Sequence, residues 1–256
     1  MVDPENRVGK FGFVRGGITS GDSPYFRKHF WEIDCRDPRW TFQQGTVAEV
    51  AEFGGRELVL LWEGGQGGLA ARTGGGGATI AGRDAWGKSG VAITYMSGLK
   101  VTRYHGEPFE NVICVLIPKE ARYLAALWAF ASSEVFEPSV RSVNQKLSVD
   151  VRYFEKAPFD LAHWQKVAAK EYPNGLPKPF SSDPTQWLFN GYPKDSDQPL
   201  HVAVARLLGY QWPRQTGSSF PDCPALGPDG LEAFADADGI VPISPTKGEG
   251  PAAERL

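Results

Sequence analysis

The sequence has no run of about 18 apolar residues, the length that a bilayer-spanning helix requires, so no transmembrane helix is predicted. Its first residues, MVDPENRVGKFGF, lack the apolar segment of a secretory leader, which points to a cytoplasmic protein. Cysteine is scarce: Cys35, Cys114 and Cys223 lie far apart, and no CxxC or CxxH spacing occurs. A zinc site therefore has no support, and reduced thiols are expected. No GxSxG elbow is present for nucleophilic hydrolysis. A metal-dependent nuclease wants spaced acidic residues and a lysine, whereas Glu155 and Lys156 are adjacent. His29, His105, His163 and His201 have no partner that spacing identifies, so each reads as structural or surface.

What is present suits a folded domain. Of 256 residues, 41% are hydrophobic and 12% aromatic, enough to pack a core. The net charge of -3 does not suggest a nucleic-acid binder. The local distribution differs. From Arg72 to Arg103, the residues Arg72, Arg83, Lys88, Lys100 and Arg103 stand against Asp84 alone, a balance of +4. Composition by itself makes such a stretch a solvated face.

Hydrophobic periodicity and turn residues divide the chain. Residues 7–34 read as strand, turn and strand, with Gly16-Gly17 and Ser20-Gly21-Asp22 in the turn and Phe30, Trp31 and Ile33 in the second strand. Residues 47–53 suit a short helix ended by Gly54-Gly55, and Leu58–Trp62 a buried strand. The glycine-dense tract from Gly64 to Gly82 reads as a mobile loop unable to pack a core. Within it there is no GxxxxGK[ST] spacing, and no helix follows it as a GxGxxG cofactor loop requires.

Val91–Met96 and Val112–Ile117 read as strands. Pro118-Lys119-Glu120 suits the first turn of a helix whose core face carries Leu124, Leu127, Trp128 and Ala131, ending near Ser132-Ser133. Leu147, Val149, Val151 and Tyr153 alternate with polar residues and predict a half-buried strand. Leu161–Lys170 predicts an amphipathic helix. Asp183-Pro184-Thr185-Gln186 is a helix start, Pro199–Leu208 another helix, and Pro242 to Leu256 has almost no apolar content. The expected fold is α+β: a mixed or antiparallel sheet with helices over 1–160, a helical extension over 161–215, and a disordered tail over 216–256.

Three blocks carry a family resemblance. Gly17-Ile18-Thr19-Ser20-Gly21-Asp22-Ser23-Pro24-Tyr25-Phe26-Arg27, continuing through Phe30-Trp31-Glu32-Ile33, resembles the signature that follows the catalytic domain in type IIG restriction-methylases and PglX-like methylases of BREX phage defence. Trp86–Gly98, followed by Arg103, is similar to a second segment of that family. Ile117-Pro118 through Ser132-Ser133 to Leu147–Val151 and Ala157-Pro158-Phe159 is similar to its late recognition-domain pattern. Residues 160–215 look like the continuation, so the blocks cover most of 8–215.

The resemblance implies a DNA target-recognition domain working beside an adenine-N6 methyltransferase domain, on the same or a separate chain. That domain would bind S-adenosylmethionine and hold the flipped adenine. Its [DNS]-P-P-[YFW] clamp is absent here, for the chain has no Pro-Pro pair. Gly65-Gln66-Gly67 fits the S-adenosylmethionine loop weakly and reads better as an ordinary loop. The expectation is a chain that chooses the site and transfers no methyl group alone. Duplex DNA is the implied partner. Candidate contacts to phosphates and base edges are Arg27, Arg72, Arg83, Lys88, Ser89, Thr94, Ser97, Arg103 and Lys146. Two alternatives stand beside this reading: a protein-interaction module of a defence complex, and a small enzyme with His105 or His163 beside a carboxylate.

Overall fold

A computed structural model describes residues 6–33, 37–95 and 98–177. Contacts divide the chain into two units, Met1–Lys28 with Arg39–Phe180, and His29–Pro38 with Ser181–Leu256. In the second, Phe30–Glu32 form a 3-10 turn capped at 2.6 Å by the Glu32 carboxylate on the His29 backbone N–H. A strand expected around Phe30 and Ile33 is replaced by this turn, because the local side-chain cap outcompetes strand pairing.

The first unit has an α+β fold. Its elements run α1 (Val8–Phe11), β1 (Gly12–Gly16), α2 (Ser23–Phe26), β2 (Arg27–His29), β3 (Trp40–Gln43), β4 (Leu58–Leu61), α3 (Gly68–Ala71), β5 (Gly90–Thr94), β6 (Val101–Tyr104), β7 (Ile113–Pro118), α4 (Leu124–Ala131), α5 (Phe136–Val143), α6 (Val151–Phe154) and α7 (Leu161–Glu171). A four-stranded sheet has the order β1-β7-β5-β6, and a three-stranded sheet the order β2-β4-β3. The registers pair β1 with β7, β5 with β7, β5 with β6 and β3 with β4, all antiparallel.

Period-two burial gives the larger sheet two faces. Val14, Val91, Ile93, Val101, Cys114 and Leu116 point into a core shared with α4, α5, α6 and α7. Ala92, Tyr104, Ile113, Val115 and Ile117 point to the other side, where Ala85 and Phe109 from loops cover them and Phe13, Trp86 and Val112 pack around them. Helix α4 is apolar all round, and Ala126 to Ala131 are buried on every side, as expected for a helix enclosed by sheet and neighbouring helices. Trp164 and Ala168 of α7 join that core, and the Trp128 indole N–H donates to the Tyr172 hydroxyl at 3.0 Å. The free edge of β1 is closed by Glu155, whose carboxylate accepts the Val14 N–H at 2.8 Å.

Several local expectations give way to tertiary contacts. Residues 47–53 are not a helix: Ala51 bridges Thr102, and the Gln44 amide holds the carbonyls of Gly45, Gly54 and Gly55 at 2.9–3.1 Å, closing the segment into a loop. The glycine tract contributes to a core after all. Leu69 and Ala78 are buried with Ile18, Phe26, Leu60 and Leu61, and Thr79 bridges Thr19. Pro118 ends β7 rather than opening a helix, and a 3-10 turn at Ala121–Tyr123 leads into α4. Proline suits this strand terminus because it no longer needs a ladder N–H. The alternation over 147–153 does not make a strand: Leu147 is 71% exposed, and Asp150 caps α6 by accepting the Arg152 N–H at 3.0 Å. The helices expected after residue 182 and the tail lie outside the described residues.

Candidate nucleic-acid interface

The candidate cations separate by face. Arg103 shares the parity of Val101 on β6 and turns toward the helices. It is 8% exposed, its Nη1 donates to the Pro177 carbonyl, and burial pushes its pKa down. Lys146 is exposed, but in the connection between α5 and α6, on the helical side of the sheet. Its N–H donates to Asn144 Oδ1 at 2.9 Å, and its carbonyl accepts from Arg141. Neither Arg103 nor Lys146 belongs with the cations on the other face.

Arg27 and Arg72 already face carboxylates. Arg27 pairs with the buried Glu110, and Arg72 Nη1 lies 3.6 Å from Asp22 Oδ2 with its guanidinium over the Phe26 ring. Thr94 Oγ1 accepts the Val47 N–H at 3.4 Å, so its hydroxyl has a structural task. Ser89 is exposed in the loop before β5, and Ser97 lies outside the described residues.

A smaller group stands together on the face opposite the helices. Phe13 and Arg15 are two apart on β1 and share a side. The Arg15 guanidinium carbon lies 4.6 Å from the Phe13 ring centroid, and Lys88 Nζ reaches the same ring at 5.5 Å. Arg83 lies 5.0 Å from the Trp62 ring and 5.8 Å from the Trp86 ring, and these two rings meet edge to face at 5.1 Å. Arg83, Lys88 and Ser89 are exposed, and among the described residues Arg83 and Lys88 make no ion pair. Stacking on a ring orients a cation while its N–H groups stay open to an anion. Arg15 was not a candidate from sequence. Its signal was the spacing Phe13-x-Arg15 in a strand, which puts ring and guanidinium on one side.

The loop that carries Arg83 and Lys88 reads Gly82-Arg83-Asp84-Ala85-Trp86-Gly87-Lys88-Ser89, which has the letters of a GxxxxGK[ST] phosphate loop beginning on the last glycine of the tract. Its geometry is different. The N–H groups of Ala85, Trp86, Gly87 and Lys88 donate to the carbonyls of Gly82, Arg83, Gly106 and Ala85. Strand β5 follows where a phosphate loop opens a helix. The backbone donors that would cradle a phosphate are spent, so the loop presents side chains instead.

The stretch Gly17–Arg27 has a structural explanation of its own. Backbone packs so closely on Gly17 that a Cβ there would lie 2.1 Å from the Glu110 carbonyl oxygen. The Ile18 N–H donates to the Phe109 carbonyl at 2.7 Å, Asp22 caps α2, and Arg27 pairs with Glu110. Burial raises the Glu110 pKa against the opposing pull of Arg27.

The Gly65-Gln66-Gly67 turn does not have the setting of an S-adenosylmethionine loop. The strand before Gly65-Gln66-Gly67 is β4, paired antiparallel with β3, and the helix after it, α3, has four residues. The Glu63 carboxylate accepts the Gly68 N–H at 2.8 Å across that turn, and a Cβ at Gly67 would lie 2.0 Å from its oxygen. His105 is buried against the Phe53 ring, and His163 is exposed on the first turn of α7, its backbone N–H capped by Asp160 at 3.1 Å. Among the described residues no group of three or more His, Cys, Asp and Glu is placed to hold a metal ion, and no helix is long and apolar enough to cross a membrane. A groove of about 460 Å³ lies at the C-terminal end of α4, with Leu99, Lys100, Ser133, Phe136, Glu137 and Arg141 among its lining residues. Compared with known proteins, the sequence matches no protein-family model and no curated protein.

Proposed function

We propose that this chain recognises duplex DNA for an adenine-N6 methylation system of the restriction or phage-defence type, with methyl transfer and S-adenosylmethionine binding left to a separate catalytic domain. One observation carries the reading: Arg83 and Lys88 are exposed, unpaired among the described residues, and seated on aromatic rings on one face of the unit. The resemblance over most of residues 8–215 supports the same reading. Exposed cations held this way neutralise phosphates and make affinity fall with salt. Ser89 beside Lys88 adds a hydroxyl for a base edge or a phosphate oxygen.

The test is a mobility-shift titration of the full chain on short duplexes across a salt series. Wild type is expected to retain duplex, and Arg83→Ala with Lys88→Ala together to lower the log–log salt slope by about 2, roughly 0.9 for each lost phosphate contact. A slope unchanged by the pair of substitutions overturns the assignment of the face. No retention at low salt favours a module that binds a partner protein.

A further inference from the structure

The third cation of this face, Arg15, is not free. Its Nε–H donates to Asp84 Oδ2 at 2.8 Å, and its Nη1 donates to the Val14 carbonyl at 3.0 Å. Its guanidinium lies on the Phe13 ring, beside Lys88. Asp84 stands on the 3-10 turn Arg83–Ala85, next to the exposed Arg83. Both side chains of the pair reach solvent, 39% exposed for Arg15 and 53% for Asp84.

Two features set this pair apart from an ordinary surface contact. Asp84 is the one acidic group of the stretch from Arg72 to Arg103, and it sits on the cation that the ring and the Val14 carbonyl already hold in place. The edge of a guanidinium that takes a carboxylate is the edge that takes a phosphate. An exposed ion pair of this sort is worth little, so exchanging its carboxylate for another anion costs little free energy.

We propose that Asp84 is a built-in competitor for DNA phosphate. In the free protein it occupies the Nε edge of Arg15, and when duplex arrives its carboxylate swings into solvent and a phosphate oxygen takes its place. Asp84 thereby sets the affinity of the face, and Arg15 is its third phosphate contact. This inference rests on the DNA-recognition reading.

The experiment is a double-mutant cycle on the full chain: wild type, Asp84→Asn, Arg15→Ala and the double variant, titrated against one short duplex at several salt concentrations. Because both side chains reach solvent, all four proteins are expected to keep the wild-type circular dichroism spectrum. Asp84→Asn is expected to tighten binding about two- to fivefold, the range set by loss of a surface ion pair. In the Arg15→Ala background the same change is expected to have little effect. Equal tightening in both backgrounds overturns the proposal, since it marks a general charge effect that ignores Arg15. Unchanged affinity in Asp84→Asn also overturns it. If Arg83→Ala with Lys88→Ala still weakens binding in those cases, the DNA reading stands without it. If no duplex is retained by any of the proteins, both fall together.

Discussion

The Arg56 guanidinium donates its Nε–H to the Glu107 carboxylate at 3.2 Å with both residues buried, in the middle of a unit whose sequence shows no sign of an internal ion pair. Arg56 also donates to the Gly54 carbonyl at 2.9 Å and to the Arg103 carbonyl at 2.8 Å, and lies 4.2 Å from the Phe53 ring centroid. Burial lowers its pKa while Glu107 opposes the shift. The Tyr104 hydroxyl donates to the Glu107 carbonyl, so the 104–107 turn and the 54–56 loop are joined at this point.

Arg56→Ala is expected to destabilise the unit by about 3–5 kcal/mol, because it strands a buried carboxylate and empties three donor positions. A combined Arg56→Met, Glu107→Leu variant is expected to recover much of that loss, since no charge is then left buried. Urea denaturation midpoints check both. Equal stability of Arg56→Ala and wild type removes the pair as an organising contact.

Glu110 carries a pH dependence of known sign. Its folded-state pKa is raised, chiefly by burial, against the pull of Arg27. The folded protein therefore keeps this proton to higher pH than the unfolded chain does. The stability contributed by this group is full below its ordinary value of 4.5 and is lost as pH rises through the folded value. Glu110→Gln is expected to gain stability relative to wild type between pH 4 and pH 7. Urea midpoints measured across that interval check it, and a gap that does not widen with pH speaks against the assignment.

Two glycines separate crowding from backbone conformation. A Cβ on Gly17 meets backbone oxygens at 2.1 and 2.4 Å, whereas one on Gly87 meets open space but at φ +72°. Gly87→Ala is expected to cost about 1–2 kcal/mol from the left-handed conformation alone. Gly17→Ala is expected to cost more, because two backbone segments must separate. Thermal unfolding of both variants gives the order directly, and the reverse order refutes the packing at Gly17.

Arg103 is expected to matter for stability and not for DNA. Arg103→Ala removes the donor to the Pro177 carbonyl and packing in a buried position, a loss of about 1–3 kcal/mol. The salt slope of duplex binding is expected to stay at the wild-type value. A slope reduced by about 1 returns Arg103 to the interface.

Elements whose residues satisfy their own backbone or form one apolar stripe were legible in the sequence. Leu58–Leu61 is a strand as expected, α7 begins at the Asp160 cap, α4 stops at Ser132, and the α+β class follows from these. Elements decided by a distant partner were not legible. The Gln44 amide, 10 and 11 residues from two of its acceptors, replaces a helix over 47–53 with a loop. A segment rich in glycine joins a core because β4 and the Gly17–Arg27 stretch offer Leu69 and Ala78 a place to be buried.

The candidate site divides along the same line. Composition by itself located a cationic stretch from Arg72 to Arg103, since charge counts need no fold. Which of the chain's charges face one another is a tertiary matter. Strand parity sends Arg103 toward the helices, carboxylates from other segments take Arg27 and Arg72, and a ring on β1 draws in Arg15 and Lys88. Local sequence sets what a residue is able to bind. Long-range packing sets which partner reaches it first, because a burial or an ion pair forms between chain segments that no short window contains.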